Sequence, residues 1–262
     1  MQLRPAALQV LEIADPAAKA AAAGTLLLAA RAGQIRIDST AQLDEPPGLP
    51  GRPPRPKLVP VAQVPRRSPF SLAGRAALLH AIAHIEFNAI NLALDAVWRF
   101  AGMPADYYSD WLRVASEEAL HFTLLSEHLH SLGHAYGDFD AHDGLWAMAE
   151  RTKHDIVARM ALVPRTLEAR GLDATPPLQA KLQRAGDARA VEILDVILRE
   201  EIGHVAIGNR WYAWLCQRDG LDPVAIYPAL LARHGAPRLK GPYNLDARRA
   251  AGFTDAEIDL LR

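Results

Sequence analysis

Glu-Glu-x-x-His occurs twice in this chain, as Glu117-Glu118-Ala119-Leu120-His121 and Glu200-Glu201-Ile202-Gly203-His204, and each copy follows a lone glutamate in a helical stretch. Glu86 precedes Glu118 by 32 residues and Glu168 precedes Glu201 by 33, while Glu86/Glu168, Glu118/Glu201 and His121/His204 lie 82, 83 and 83 residues apart. This spacing implies one helical hairpin used twice. If Glu86 and Glu118 are level on antiparallel helices, the turn falls near position 102, where the chain reads Ala101-Gly102-Met103-Pro104. For the second pair it falls between Arg184 and Ala185, beside Gly186-Asp187. Glycine and proline are the residues such turns need.

Residues three apart on a helix lie about 5–6 Å apart on one face, so each Glu-x-x-His presents a carboxylate and an imidazole to one point. A glutamate from each of two helices plus Glu-x-x-His from each of two others is the ligand set of di-iron and di-manganese four-helix bundles. The candidate metal ligands are therefore Glu86, Glu118, His121, Glu168, Glu201 and His204. Glu86 shares its helix face with Leu79, Ile82, Ala83, Ala89, Ile90 and Ala93, Glu118 with Val114, Ala115, Phe122 and Leu125, and Glu201 with Leu194, Ile197, Leu198 and Val205. Such stripes face a core, and a carboxylate buried there must pair, take up a proton or bind a metal. Arg113, Arg165 and Arg199 are the candidate partners if these glutamates serve ion pairs instead.

Glu168 has the poorest apolar stripe of the set, and Gly171 to Pro177 is expected to interrupt its helix, with a kink near Pro164. Glu150 and His154 are the alternatives for the third-helix ligand. Glu117 and Glu200 lie four residues before the same histidines and are candidates either to replace their neighbours or to orient a ligand histidine from behind. The other eight histidines have no matching partner in the opposite half and read as hydrogen-bonding groups.

Along the chain, four segments are expected. Residues 1–44 form an N-terminal helical segment with a brief strand from Gln34 to Ser39, and 45–70 a proline-rich extended arm that includes Pro65. Residues 71–219 form a four-helix bundle with helices at 71–101, 104–132, 144–170 and 187–218, plus a short helix at 177–184. Residues 220–262 form short helices, the last capped by Thr254 with Glu257 at its third position.

Half of the 262 residues are apolar, alanine and leucine are abundant, and the composition suits helix. Lysine plus arginine number 29 against 30 acids, so no bulk nucleic-acid binding is expected. A lone cysteine, Cys216, excludes a disulfide or a cysteine-based metal site within one chain, and a reducing cytoplasm is the expected compartment. Glu12, Asp15 and Lys19 break up the first twenty residues, so no targeting segment is expected, and no stretch reaches 18 apolar residues, so no membrane span is expected either.

Several stretches carry a family resemblance: Pro50-Gly-Arg-Pro-Pro-Arg-Pro-Lys-Leu-Val59, Met160-Ala-Leu-Val-Pro-Arg165, Leu167-Glu-Ala-Arg-Gly171, Glu201-Ile-Gly-His-Val-Ala-Ile-Gly-Asn-Arg-Trp211, Leu239-Lys-Gly-Pro-Tyr-Asn244 and Ala250-Ala-Gly-Phe253. With the paired half-sites, they resemble the DUF455 family of the ferritin-like superfamily, over nearly the whole chain. The resemblance implies an all-α fold, a ferritin-like four-helix bundle with an N-terminal helical and proline-rich extension and short C-terminal helices. It also implies a di-metal site on the six residues above, but no substrate.

Four carboxylates and two imidazoles suit two iron ions, with manganese the alternative. Two iron(II) ions side by side supply electrons to dioxygen and generate an oxidant able to attack a C–H bond. The expected function is an oxygen-dependent oxidase or hydroxylase of an organic small molecule or nucleoside, with dioxygen as co-substrate, an electron-donor protein as partner and a homodimer as assembly. Iron handling (ferroxidase, peroxide scavenging or storage) and a structural bundle without redox activity are the alternatives.

Overall fold

The computed structural model describes residues 1–64, 68–237 and 239–261; Pro65 of the arm and Arg238 of the Gly-Pro segment lie outside them. Among the described residues the fold is all-helical and has no strand, only isolated bridges between Gln2 and Arg36 and between Leu58 and Ala141. The strand expected from Gln34 to Ser39 is reduced to the first of these, because Arg36 finds one short partner segment rather than a sheet. The chain divides into two compact units, Met1–Trp146 and Ala147–Arg262.

The first unit contains α1 (Leu3–Glu12), α2 (Pro16–Arg31), α3 (Leu72–Arg99) and α4 (Ala105–Ser131). Asp15 caps α2 through the Ala18 amide and Ser71 caps α3 through the Gly74 amide, each satisfying a donor the helix leaves open. Helices α3 and α4 form the expected hairpin, whose turn contains Gly102 at φ 76°, backbone that favours glycine. Helix α1 packs on α3 and α2 on α4. By length and composition α3 resembles a membrane span, yet 72% of its most apolar window is buried, as in the core helix of a soluble protein.

Among its described residues the arm has no α-helix and one 3-10 turn, Val61–Gln63. Lys19, fully buried on α2, donates to Gly51 O at 2.8 Å and to Asn91 Oδ1. Arg52 pairs with Asp143 at 2.9 Å, and Val59 donates to Ala141 O at 2.8 Å. Burial, with Arg52 adding repulsion, pushes the Lys19 ammonium down from 10.5 to about 7.

Helix α5 (Gly144–Arg151) begins at the end of the first unit, and the second unit continues with α6 (Ile156–Leu162), a π-helical turn (Val163–Glu168), α7 (Ala169–Arg184) and α8 (Ala188–Asp219), followed by α9 (Pro223–Arg233), α10 (Leu245–Ala250) and α11 (Asp255–Asp259). The single helix expected at 144–170 is instead three segments. Asp155 starts a new helix by accepting the Ala158 amide at 2.9 Å, and Pro164 lies inside the π turn. Proline removes a helical donor. Beside it, the Thr166 hydroxyl donates to Ala161 O at 2.7 Å.

The interruption expected from Gly171 to Pro177 does not occur: α7 runs through Pro176 and Pro177 to the turn at Gly186, φ 75°. Pro176 cannot donate to Leu172 O, but the Asn244 side chain does so through Nδ2 at 3.2 Å, supplying the missing hydrogen bond from a distant part of the chain. Packing carries the rest, through a core of Ala169, Leu172, Val205, Ala247, Ala251, Phe253 and Ile258. Thr254 and Glu257 form the expected capping box on α11.

Helix α8 accommodates the π turn at Gly208. A β-carbon there would lie 2.6 and 2.7 Å from Pro164 Cβ and Cγ. Gly208→Ala is expected to destabilise the protein by about 1–3 kcal/mol, read as a lower urea midpoint; a midpoint at or above wild type would show that the contact is not tight. Because Lys19 is neutral in the folded protein above about pH 7 while the unfolded chain binds a proton up to about 10, the unfolded state binds more protons in that window. Wild-type stability should therefore rise relative to Lys19→Met from about pH 7 to 9; parallel denaturation midpoints would contradict this.

Candidate metal centre

Helices α3 and α4 bring Glu86, Glu118 and His121 together, all three buried. His121 Nδ1 lies 3.3 Å from Glu86 Oε2 and 3.2 Å from Glu118 Oε2, and the ligand atoms of the three are within 4.8 Å of one another. Two donors each about 2.1 Å from one ion at right angles are about 3 Å apart. The observed separations thus match neighbouring positions around a single cation.

Burial, joined by repulsion from the Glu118 carboxylate, pushes the Glu86 carboxyl well above its ordinary range, against the opposing pull of His121. A cluster of this kind stabilises positive charge placed among its oxygens. The donor set therefore fits a divalent cation: carboxylate oxygens with an imidazole nitrogen suit iron or manganese better than thiolate-seeking metals.

The second unit repeats half of this arrangement on α8. Glu201 and His204 are buried, with His204 Nδ1 3.9 Å from Glu201 Oε1. Both histidines thus present Nδ1 to the carboxylate one helical turn before them, as residues three apart must. Glu168 closes the π turn and shields its Oε2 from solvent. Three residues on, a β-carbon at Gly171 would lie 4.0 Å from Glu201 Oε2, so the Glu201 carboxylate faces the start of α7. The alternatives to Glu168 lie elsewhere: Glu150 pairs with Lys153 at 3.5 Å and His154 is exposed.

The three candidate arginines are engaged outside the six residues. Arg113 pairs with Glu117 at 3.3 Å, Arg199 with Glu200 at 3.2 Å and Arg165 with Glu257 at 2.8 Å. Glu117 and Glu200 are thus tied to arginines of their own helices while half-buried. His84 turns away from Glu86 to bond Tyr136 Oη at 2.8 Å and His142 O at 3.1 Å, and burial holds its imidazole down at about 4. His128 is buried, 3.0 Å from Ser131 Oγ.

Sequence reasoning missed Asn209, Thr166 and Tyr227, which fasten the turn leading to Glu168. The nearest signal was Pro164 beside Arg165 and Thr166, a helix breaker followed by groups that need partners.

These features define an all-helical protein with buried carboxylate and imidazole clusters. By sequence, the chain belongs to the family described as protein of unknown function (DUF455), matched over residues 12–259. It is 52% identical over 234 residues to an uncharacterized protein of Haemophilus influenzae, a match covering 87% of this chain and 81% of that one. No solved structure matches it.

The raised Glu86 pKa means that the folded, metal-free protein binds more protons than the unfolded chain above the ordinary carboxylate range, so its stability falls as pH rises through that window. Glu86→Gln removes this cost. In chelator-treated protein, its melting temperature relative to wild type should increase from about pH 5 to 7.5; a pH-independent difference would rule the argument out.

Proposed function

We propose that this chain is a di-metal carboxylate protein of the ferritin-like superfamily, holding two iron ions, with manganese the alternative, and acting as an oxygen-dependent oxidase or hydroxylase of an organic substrate. The observation that carries this reading is the buried Glu86, Glu118 and His121 cluster, whose donors meet at 3.2–3.3 Å, together with its sequence repeat in Glu168, Glu201 and His204. That is the ligand pattern of bundles whose metals lie inside the four helices.

Within this reading Glu86, Glu118, His121, Glu168, Glu201 and His204 would hold the two ions, each Glu-x-x-His contributing a carboxylate and an imidazole and each lone glutamate a further carboxylate. When bound, reduced iron supplies electrons to dioxygen and an oxidising equivalent for the substrate. The chain's own task is to hold the six donors in place and keep bulk water away. The burial of Glu86, Glu118 and His121, none of them more than 3% exposed, supports the second part. The substrate class is an organic small molecule or nucleoside and the electrons come from a donor protein, the enzyme working in the cytoplasm as a homodimer.

Elemental analysis of protein from cells grown with iron and manganese tests the reading, beside the Glu118→Ala/Glu201→Ala double variant. About two iron or manganese per chain, lost in the variant, is the expected result, followed by oxygen uptake from the reduced wild type. Absence of bound metal even after anaerobic reconstitution with iron(II) would sink it.

A further inference from the structure

The C-terminal extension after Gly220 gathers on the π turn that ends in Glu168. Arg165, in the middle of that turn and 3% exposed, donates to Asn209 Oδ1 at 3.0 Å and pairs with Glu257 at 2.8 Å. Its guanidinium lies over the rings of Tyr212, Tyr227 and Phe253, 4.9, 5.3 and 4.7 Å from their centroids. Asn209 in turn donates to Ala251 O at 2.7 Å, at the end of α10.

The neighbouring Thr166 uses its hydroxyl proton on Ala161 O, so Tyr227 Oη, 2.7 Å away, is the donor in the Thr166–Tyr227 bond. Glu257 has two tasks: one oxygen takes the Arg165 guanidinium, and the other accepts the Thr254 amide at 2.8 Å in the capping box of α11. The two polar side chains before Glu168 are therefore fastened by α9, α10 and α11.

A π turn holds one residue more than an α turn, and a change of one residue swings a side chain by about 100° around the helix axis. The register of 163–168 thus decides where the Glu168 carboxylate points. A lone five-residue helix is an unstable element in isolation, so its buried ion pair ties the order of the tail to the order of the turn.

We propose that the C-terminal extension is the positioning device for the third-helix ligand, the Arg165–Glu257 pair holding the π turn in the register that aims Glu168 at the Glu201 and His204 half-site. This rests on the di-metal reading. Arg165 and Glu257 are positioning residues that act through Glu168, and a tail that only stabilises the fold would not single out one metal.

The test titrates metal-free, full-length protein with cobalt(II) and measures apo melting by circular dichroism. Wild type should bind two ions. Glu257→Gln keeps an acceptor for the Thr254 amide, and Arg165→Met/Glu257→Gln leaves no unpaired buried charge; both should bind one ion as wild type does and the other at least tenfold more weakly, reproducing Glu168→Gln. Asp173→Asn, which removes a different ion pair of the tail, Arg248–Asp173 at 2.6 Å, should lower the melting temperature but leave both affinities within twofold.

Undiminished binding of both ions by either folded Arg165 or Glu257 variant overturns the proposal, as does an equal loss in Asp173→Asn. Wild type binding no cobalt would instead overturn the di-metal reading, and this inference with it. If neither variant folds, hydrogen exchange of wild type decides: amides at 163–168 and 245–259 opening together support the coupling, and a turn opening far more readily than the tail overturns it.

Discussion

Much of the first unit depends on one unfavourable arrangement, two carboxylates and an imidazole drawn into a helical hairpin by the apolar faces that carry them. Glu86 cannot leave the interior without taking Leu79, Ile82, Ala83 and Ile90 with it, and these are buried too. The hydrophobic gain of that whole face outweighs the cost of one desolvated carboxyl. What remains is chemical: Glu86 is pushed toward its protonated form and His121 sits between two acids. An interior that so strongly favours added positive charge could hold a cation.

The surrounding structure reads as support for holding that strain still. Caps at Asp15, Ser71, Asp155, Asp187 and Asn244 start the helices where they must start. The proline arm is fastened by Lys19, Arg52 and Val59 rather than left loose. In the second unit the same need is met differently, with a π turn docked on Gly208 and a caged arginine in place of a plain helix.

Helical hairpins were legible because their signals are periodic and repeated. The turns at Gly102 and Gly186 fall where equal arms from Glu86 to Glu118 and from Glu168 to Glu201 require them. Burial of Glu86, Glu118 and Glu201 followed from apolar neighbours three and four residues away. The third helix was not legible in the same way. Gly171, Pro176 and Pro177 read as breakers, and nothing near them in the chain reveals that Asn244 supplies the donor a proline lacks. Arg165 likewise read as a partner for a nearby glutamate, whereas it bonds Glu257, 92 residues later.

By itself, then, the sequence determined the helical class, the two hairpins, the capping box at Thr254 and the pairing of each Glu-x-x-His on one helix face. All of these are local, set by hydrogen bonds and side-chain spacings within a turn or two. Tertiary structure decided the π turn at Val163–Glu168, the continuity of α7, the choice of Glu257 by Arg165 and the meeting of Glu86 with Glu118 and His121 at contact distance. Each of those depends on groups far apart in the chain, whose approach is decided by how side chains fill space once the helices are packed.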